Sequence, residues 1–371
     1  MQFKNKVIWI FSQQNWEGLK LSKHHYADAL SEIGAKVFYF NPPLDTGWSF
    51  SLPKVSIEQK NKLTVVSQKL YFPSNLKFHY RRIYNFLVKL QLLLLNKKIP
   101  SPDIIWSFDL SNNFPIKNFK KSYKIFHPVD EPLTLEAITA AKGANVLFSV
   151  ANEILDKYPN KVPKFLINHG LHRSFVNVSA EHYNDGVIRI GMSGNWLRKD
   201  IDRQILKTII ENHPRIIFEC WGSIDIKFEV DIDTIEFVEF LKTCQNVILH
   251  GLVDTESLAK AYQKMDAFLI CYDVNKDQSS GTNYHKVIEF LSTGKVVISN
   301  NISFYNDKRN LIEMVIDRKS NEELPSLFNT VLNEIENFNT IQKMDLRKKF
   351  AIENTYDNLI NKIENLNDYA N

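Results

Sequence analysis

The stretch FHPVDEP, Phe126 to Pro132, sets an imidazole and two carboxylates within five positions: His127, Asp130 and Glu131. Groups of this kind can take a proton from a hydroxyl when they stand on a loop just beyond the carboxyl end of a strand. Pro128 and Pro132 would stiffen that loop. Asp130 or His127 could serve as a general base there; either can instead be a helix cap or a hydrogen-bonded loop residue. His24 and His25 follow the first apolar run. They could line the same site, or lie on a plain helix surface.

A second constellation lies in SSGTNYHKVIEFLSTGKVVISN, Ser279 to Asn300. At helical spacing Val287, Ile288, Phe290 and Leu291 share one face, and Lys286, Glu289, Ser292 and Thr293 the other. Gly294 closes the helix, and KVVIS reads as a buried strand. The polar face is either solvated or looks into a ligand cleft. Ahead of the helix, Ser280, Gly281, Thr282 and Asn283 would offer free N–H groups to an anion. In GMSGNWLRKDID, Gly194 would let a ligand approach the backbone. Arg198 and Lys199 either offset a diphosphate charge or begin a solvated helix. Neither GxGxxG nor GxxxxGK[ST] occurs, which argues against a dinucleotide oxidoreductase and a P-loop enzyme.

These residues need elements to hold them. Short apolar runs such as KVIWIF, KVFYF, LTVVS, DIIWSF and YKIF alternate with helical stretches such as KLSKHHYADALSEIGA. That punctuation predicts βαβ units and a parallel sheet. The pattern breaks between Asn168 and Gly186 and then restarts with VIRIGMSG, IIFECWG, NVILHG, AFLICY, KVVIS and MVID. A chain of 371 residues exceeds one ordinary core. The expectation is α/β, with two doubly wound Rossmann-like domains over residues 1–180 and 181–345. Residues 346–371 would form a terminal helix packing back on the first domain. Ligands would bind at the carboxyl ends of the strands, in the cleft between domains.

Cys220, Cys244 and Cys271 show no CxxC pair and no zinc spacing, so free thiols, a reducing compartment and no metal are expected. The first apolar run, Val7 to Phe11, is too short for a signal peptide or membrane span. Residues 1–180 carry 24 basic against 12 acidic residues, a net of +12; the remainder carries 22 against 30, a net of −8. The first half therefore suits an anionic partner. Its segment KFHYRRIYNFLVKLQLLLLNKK, Lys77 to Lys98, reads as an amphipathic helix lying on an anionic membrane surface, or as a domain helix with snorkelling lysines. No nucleic-acid motif accompanies the charge.

NVILHGLVDTESLAKAYQKMDAFLICYD followed by GTNYHKVIEFLSTGKVVISN resembles the nucleotide-binding half of GT-B glycosyltransferases, especially glycosyltransferase family 4. FHPVDEPLTLEAITAAKGANVLFSVANEI resembles the subgroup around teichuronic acid and xanthan glycosyltransferases. The resemblance implies a GT-B fold and hexosyl transfer from a nucleotide sugar to a saccharide or polyprenyl-linked acceptor in polysaccharide biosynthesis, with no further cofactor. Glu289 would hold the donor ribose and Lys286 would stand one turn earlier. Gly194, Arg198, Lys199 and Ser280 to Asn283 would meet the diphosphate, Asp130 or His127 would act on the acceptor, and His25 would lie on the acceptor side. Gly281 stands where many family 4 enzymes have a second glutamate. The expected location is cytoplasmic, either free or peripheral on the inner membrane face. A nucleotide-sugar epimerase and a non-catalytic glycan- or lipid-binding protein are the competing readings.

Overall fold

The computed structural model of the chain describes residues 2–18, 20–44, 47–48, 55–178, 185–226 and 229–369. It divides into two compact units: unit 1 is Met1–Asn168 with Tyr356–Asn371, and unit 2 is His169–Thr355.

Unit 1 begins with β1 (Val7–Phe11), α1 (Ser22–Glu32), β2 (Lys36–Phe40), β3 (Val55–Lys60) and β4 (Leu63–Gln68). It continues through α2 (Leu76–His79), α3 (Arg81–Leu95), β5 (Ile104–Ser107), β6 (Tyr123–Phe126), α4 (Leu135–Ala140), β7 (Val146–Ser149), α5 (Asn152–Asp156) and β8 (Lys164–Leu166). Among the described residues the sheet order is β3-β4-β2-β1-β5-β6-β7-β8, parallel except for the β3–β4 hairpin. VIWIF is apolar throughout because both faces of a parallel sheet are covered. Trp9 and Phe11 point into one core cluster, Ile8 and Ile10 into the other. The chain winds out from β1 to β4 and then jumps back to β5, so the topological switch lies between β1 and β5.

Unit 2 runs β9 (Arg189–Ser193), α6 (Arg203–Asn212), β10 (Ile217–Trp221), α7 (Ile232–Thr243), β11 (Val247–Gly251), α8 (Thr255–Tyr262) and β12 (Ala267–Ile270). Then come α9 (His285–Ser292), β13 (Val296–Ser299), β14 (Glu313–Met314), α10 (Leu324–Asn333), α11 (Ile335–Phe338) and α12 (Ile341–Glu353). Asp202, Asp231 and Asp254 accept backbone N–H bonds as the N-caps of α6, α7 and α8. The sheet order among the described residues is β11-β10-β9-β12-β13-β14, all parallel. Its switch lies between β9 and β12.

The last helix, α13 (Tyr356–Tyr369), returns to unit 1 and packs on α1. Tyr356, Leu359, Ile360 and Ile363 are buried there. The divisions fall at Asn168/His169 and Thr355/Tyr356, not at 180 and 345. Leu171 and Phe175 are already in the unit 2 core, and α12 is held in unit 2 by Arg347. That side chain is fully buried. It donates to Leu311 O at 3.1 Å, Gly294 O at 3.0 Å and Phe338 O at 2.8 Å.

Two histidines are built into the unit 1 core. His24 Nδ1 accepts the Leu21 N–H at 2.9 Å, so the proton sits on Nε2, which faces Asn15 O at 2.9 Å. His127 is fully buried among Tyr26, Trp106, Phe108 and Phe148. Trp106 Nε1–H points at its Nδ1 at 3.4 Å. Burial lowers the pKa of His24 to about 4 and that of His127 to about 3.

Two expectations follow. Arg347→Met leaves buried carbonyls without donors and should cost about 3 kcal/mol or more in equilibrium unfolding. Arg347→Lys, which lacks the planar fork, should restore only part. Both histidines have depressed folded pKa values, so their stability contribution is present above about pH 6.5 and lost as pH falls toward 4 and 3. Between pH 6.5 and 5, His127→Phe should lose about 2 kcal/mol less stability than the native sequence. Identical pH profiles would refute that assignment.

Candidate functional site

In unit 2, β9, β10 and β11 end on glycine: Gly194 and Gly222 follow the first two, and Gly251 is the last residue of the third. Gly222 has φ +122°, and a Cβ there would stand 1.7 Å from Gly194 O. Gly194 N donates to Trp221 O at 3.0 Å, and Gly222 N to Gly251 O at 2.8 Å. The two backbones thus approach more closely than any side chain would allow.

Across the switch, the chain after β12 brings Tyr272 to Gly194, and α9 brings Lys286. Lys286 Nζ donates to Ser193 O and, at 2.6 Å, to the Tyr272 hydroxyl. It also sits 4.8 Å from the Tyr272 ring centroid. A Cβ on Gly194 would be 3.0 Å from both Lys286 Nζ and the Tyr272 hydroxyl. Ser193, Gly194, Cys271, Tyr272 and Lys286 help line a cavity of about 20 Å³, room for about one water molecule. This is the crevice where a doubly wound sheet takes ligands.

One turn beyond Lys286, the Glu289 side chain is 14% exposed and 3.4 Å from His285 Nδ1. Burial raises its pKa, partly offset by His285 and Lys286. The polar face of α9 is therefore enclosed at Glu289 and not openly solvated.

The loop before α9 differs from the anion cradle expected there. Asp277 is buried and accepts from Ser279 N–H at 3.1 Å, Gly281 N–H at 3.1 Å and the Tyr284 hydroxyl at 2.8 Å. Ser280 N–H goes to Asp277 O and Thr282 N–H to Ser279 O. The N–H groups from Ser279 to Thr282 are thus committed inside the loop. Thr282 and Asn283 are themselves buried and Ser280 is exposed. Burial raises the Asp277 pKa, but hydrogen bonds from Ser279, Tyr284 and Gly281 bring it below the ordinary value. Gly281 has φ +65°, and a Cβ there would lie 2.4 Å from Val274 Cγ1 and 2.9 Å from Asn301 O. No glutamate fits in that position.

Arg198 is committed as well. It forks onto Asp200 through Nε and Nη2 and reaches Asp277 at 3.4 Å. The Asp200 bond keeps its guanidinium firmly charged. Lys199 is 76% exposed, pairs with Asp231 at 2.9 Å, and is not among the residues lining the cavity.

In unit 1, residues converge at the β1–β5 switch. Tyr39 hydroxyl donates to Ser12 Oγ at 2.7 Å, and Gln13 Nε2 to Ser111 Oγ at 2.7 Å. Asp109 accepts from Ser111 N–H at 2.9 Å and Asn113 N–H at 2.8 Å; burial still raises its pKa to about 6. Lys23 is 1% exposed, and burial lowers its pKa while the charges of Asp130 and Asp109 raise it. Asp130 is exposed on the loop after β6. Glu131 pairs with Lys157. His127 lies in the aromatic core described above, and His24 closes the start of α1. His25 is half-buried with its ring 5.1 Å from Tyr356 of α13, so it meets a helix of its own unit.

Lys23, Asp109, Gly222 and Asp277 were not singled out from the sequence. Lys23 had a signal, since it begins the i, i+3, i+4, i+7 stripe continued by Tyr26, Ala27 and Leu30. The run DQSSG is a side-chain turn signature for Asp277. Among the described residues, no three His, Cys, Asp or Glu are grouped to hold a metal ion, and the three cysteines are unpaired.

No family model and no curated protein sequence matches this chain. Solved structures do. Sucrose-phosphate synthase from Thermosynechococcus elongatus matches with TM-score 0.73 and 11% identity over 98% of both chains. A UDP-forming α,α-trehalose-phosphate synthase from Burkholderia xenovorans, in complex with glucose-6-phosphate, matches with TM-score 0.68 and 11% identity over 97% of this chain and 99% of that one. The lipopolysaccharide outer core galactosyltransferase WaaB matches with TM-score 0.61 and 12% identity over 97% and 98%. At such identities the likeness shows the fold, and the fold is α/β of the GT-B type, with two Rossmann-like, parallel-rich sheets.

Proposed function

We propose that this protein is a glycosyltransferase that moves a hexosyl group from a nucleotide diphosphate sugar to a saccharide or lipid-linked saccharide in surface polysaccharide assembly, acting in the cytoplasm. We place it nearest glycosyltransferase family 4 and the teichuronic acid/xanthan subgroup. The observation that carries this reading is Lys286 of α9 meeting Gly194 at the switch point of a GT-B sheet, with Glu289 one turn along the same helix. Glu289, largely enclosed and acceptor-rich, suits the two hydroxyls of a ribose. Lys286 suits the diphosphate, which would replace Ser193 O and the Tyr272 hydroxyl as its partner.

Transfer needs two things: charge stabilisation on the departing diphosphate and a base for the acceptor hydroxyl. Lys286 provides the first, with Arg198 able to join only by loosening its hold on Asp200 and Asp277. Asp130 is the accessible carboxylate for the second, with the buried Lys23 within electrostatic reach of it. As the acceptor oxygen bonds to the sugar carbon, its proton passes to Asp130 and the bond to the diphosphate breaks. His127, neutral and enclosed by rings, supports the loop from beneath. Ser280, Gly281, Thr282 and Asn283 shape the approach to α9 through the Asp277 turn. Lys199 contributes charge from outside the cavity.

A panel of nucleotide diphosphate sugars, followed by thermal melting, tests the donor site. The right donor at about a hundredfold over its Kd should add about 2.7 kcal/mol. Glu289→Ala should weaken its binding about tenfold to a hundredfold by deleting hydrogen bonds to the ribose. Asp130→Asn should lower kcat about a hundredfold or more with donor binding unchanged. If no donor stabilises the protein, the reading fails. Release of nucleotide and free sugar without an acceptor would favour an epimerase, and binding without turnover a glycan- or lipid-binding protein.

A further inference from the structure

The helix α3 has two apolar faces where a domain helix needs one. Tyr84, Val88, Leu92 and Leu95 are buried in the unit 1 core. On the opposite side Ile83, Phe86, Leu90, Leu93 and Leu94 are all exposed, by 38–62%. At 100° per residue these five fall within an arc of about 100°. Phe78 in α2 and Tyr80 just before α3 are also exposed and extend the apolar surface at its amino end. Singly exposed leucines are ordinary, but a contiguous stripe along a whole helix marks a binding surface.

The charges around the stripe identify its partner. Leu76 to Lys98 contains no Asp or Glu. Two of its cations are held inward: Lys77 donates to Asn113 Oδ1 at 3.0 Å, and Arg81 pairs with Glu136 at 2.8 Å. Arg82, Lys89, Lys97 and Lys98 are exposed and stand beside or beyond the apolar arc. A second copy of this chain docking symmetrically through the same face would bring basic flank against basic flank. An anionic lipid surface takes both features at once, leucine and phenylalanine into the acyl boundary and cations among the headgroups. The fifteen residues of α3 span about 22 Å, short of a bilayer's hydrocarbon core of about 30 Å. Among the described residues, no helix is long and apolar enough to cross a membrane.

We propose that α3, with the exposed residues just before it, is a membrane-docking face that lies in the plane of an anionic bilayer, its outer stripe inserted and Arg82, Lys89, Lys97 and Lys98 on the headgroups. This face lies within unit 1 and does not depend on the donor site of unit 2.

The test is co-sedimentation of the full chain with vesicles of phosphatidylcholine alone or mixed with phosphatidylglycerol, across a salt series. Binding should require the anionic lipid and weaken with salt. Phe86→Ser with Leu93→Ser should reduce it about tenfold or more. Arg82→Gln with Lys89→Gln should reduce it about thirtyfold and flatten the salt dependence. Both variants change exposed side chains and should keep the native melting temperature and donor binding. Absence of vesicle binding, or binding equal in the variants, overturns the proposal. A native dimer that the serine variant converts to monomer, without vesicle binding, assigns the face to a second copy instead.

Discussion

The carboxyl end of the unit 2 sheet depends on how near two backbones can come. Gly222 meets Gly194 O where no Cβ could be placed, so β9 and β10 converge just where the switch to β12 opens the crevice. That convergence leaves Gly194 bare toward Lys286 and the Tyr272 hydroxyl. A side chain at Gly194 would press on the lysine, and one at Gly222 would push the Gly194 backbone away. The position of one ammonium group is thus fixed by two absent side chains.

Electrostatically, the crevice is satisfied before a ligand arrives. Lys286 is held by a carbonyl and a phenol, Arg198 by two carboxylates, and the N–H groups of the loop after Asp277 by that loop itself. On the proposed function, an incoming diphosphate would have to exchange partners with these groups. Exchange favours a ligand whose charge exceeds that of a carbonyl or hydroxyl, and so selects an anion over a neutral sugar. Asp277 works the other way, since its buried carboxylate disfavours a second anion close by. The Gly281 turn carries a related consequence: a carboxylate cannot stand there, so on the proposed function the sugar would be read by groups elsewhere.

Much of the fold was legible because parallel strands buried on both faces read as unbroken apolar runs; VIWIF, KVFYF and AFLI are examples. The strand β3 was not, since VSIEQK pairs antiparallel at the sheet edge and is mostly exposed. Lys77 to Lys98 reads as one helix by period, yet it breaks at Tyr80, whose φ and ψ of −131° and 58° lie outside the helical region. The polar tail after Arg347 reads as one helix and is two, α12 and α13, because one buried arginine collecting three carbonyls assigns the first to unit 2. In the site, Lys286, Glu289 and Gly194 were legible from helix period and glycine position. The commitment of Arg198, the closure of the Asp277 loop and the burial of His127 and Lys23 rest on contacts between distant segments, which spacing does not encode.

The return of α13 to unit 1 bears on how the chain is made. Unit 1 supplies the first 168 residues, yet Tyr356, Leu359, Ile360 and Ile363 complete its core beside Tyr26 and Leu30 of α1. More than three hundred residues separate these partners, so their meeting carries a large loop-closure entropy. During translation the apolar side of α1 therefore emerges from the ribosome long before its cover exists. The part of it that α13 covers waits through synthesis of the whole of unit 2, a window in which a nascent-chain chaperone would find its substrate.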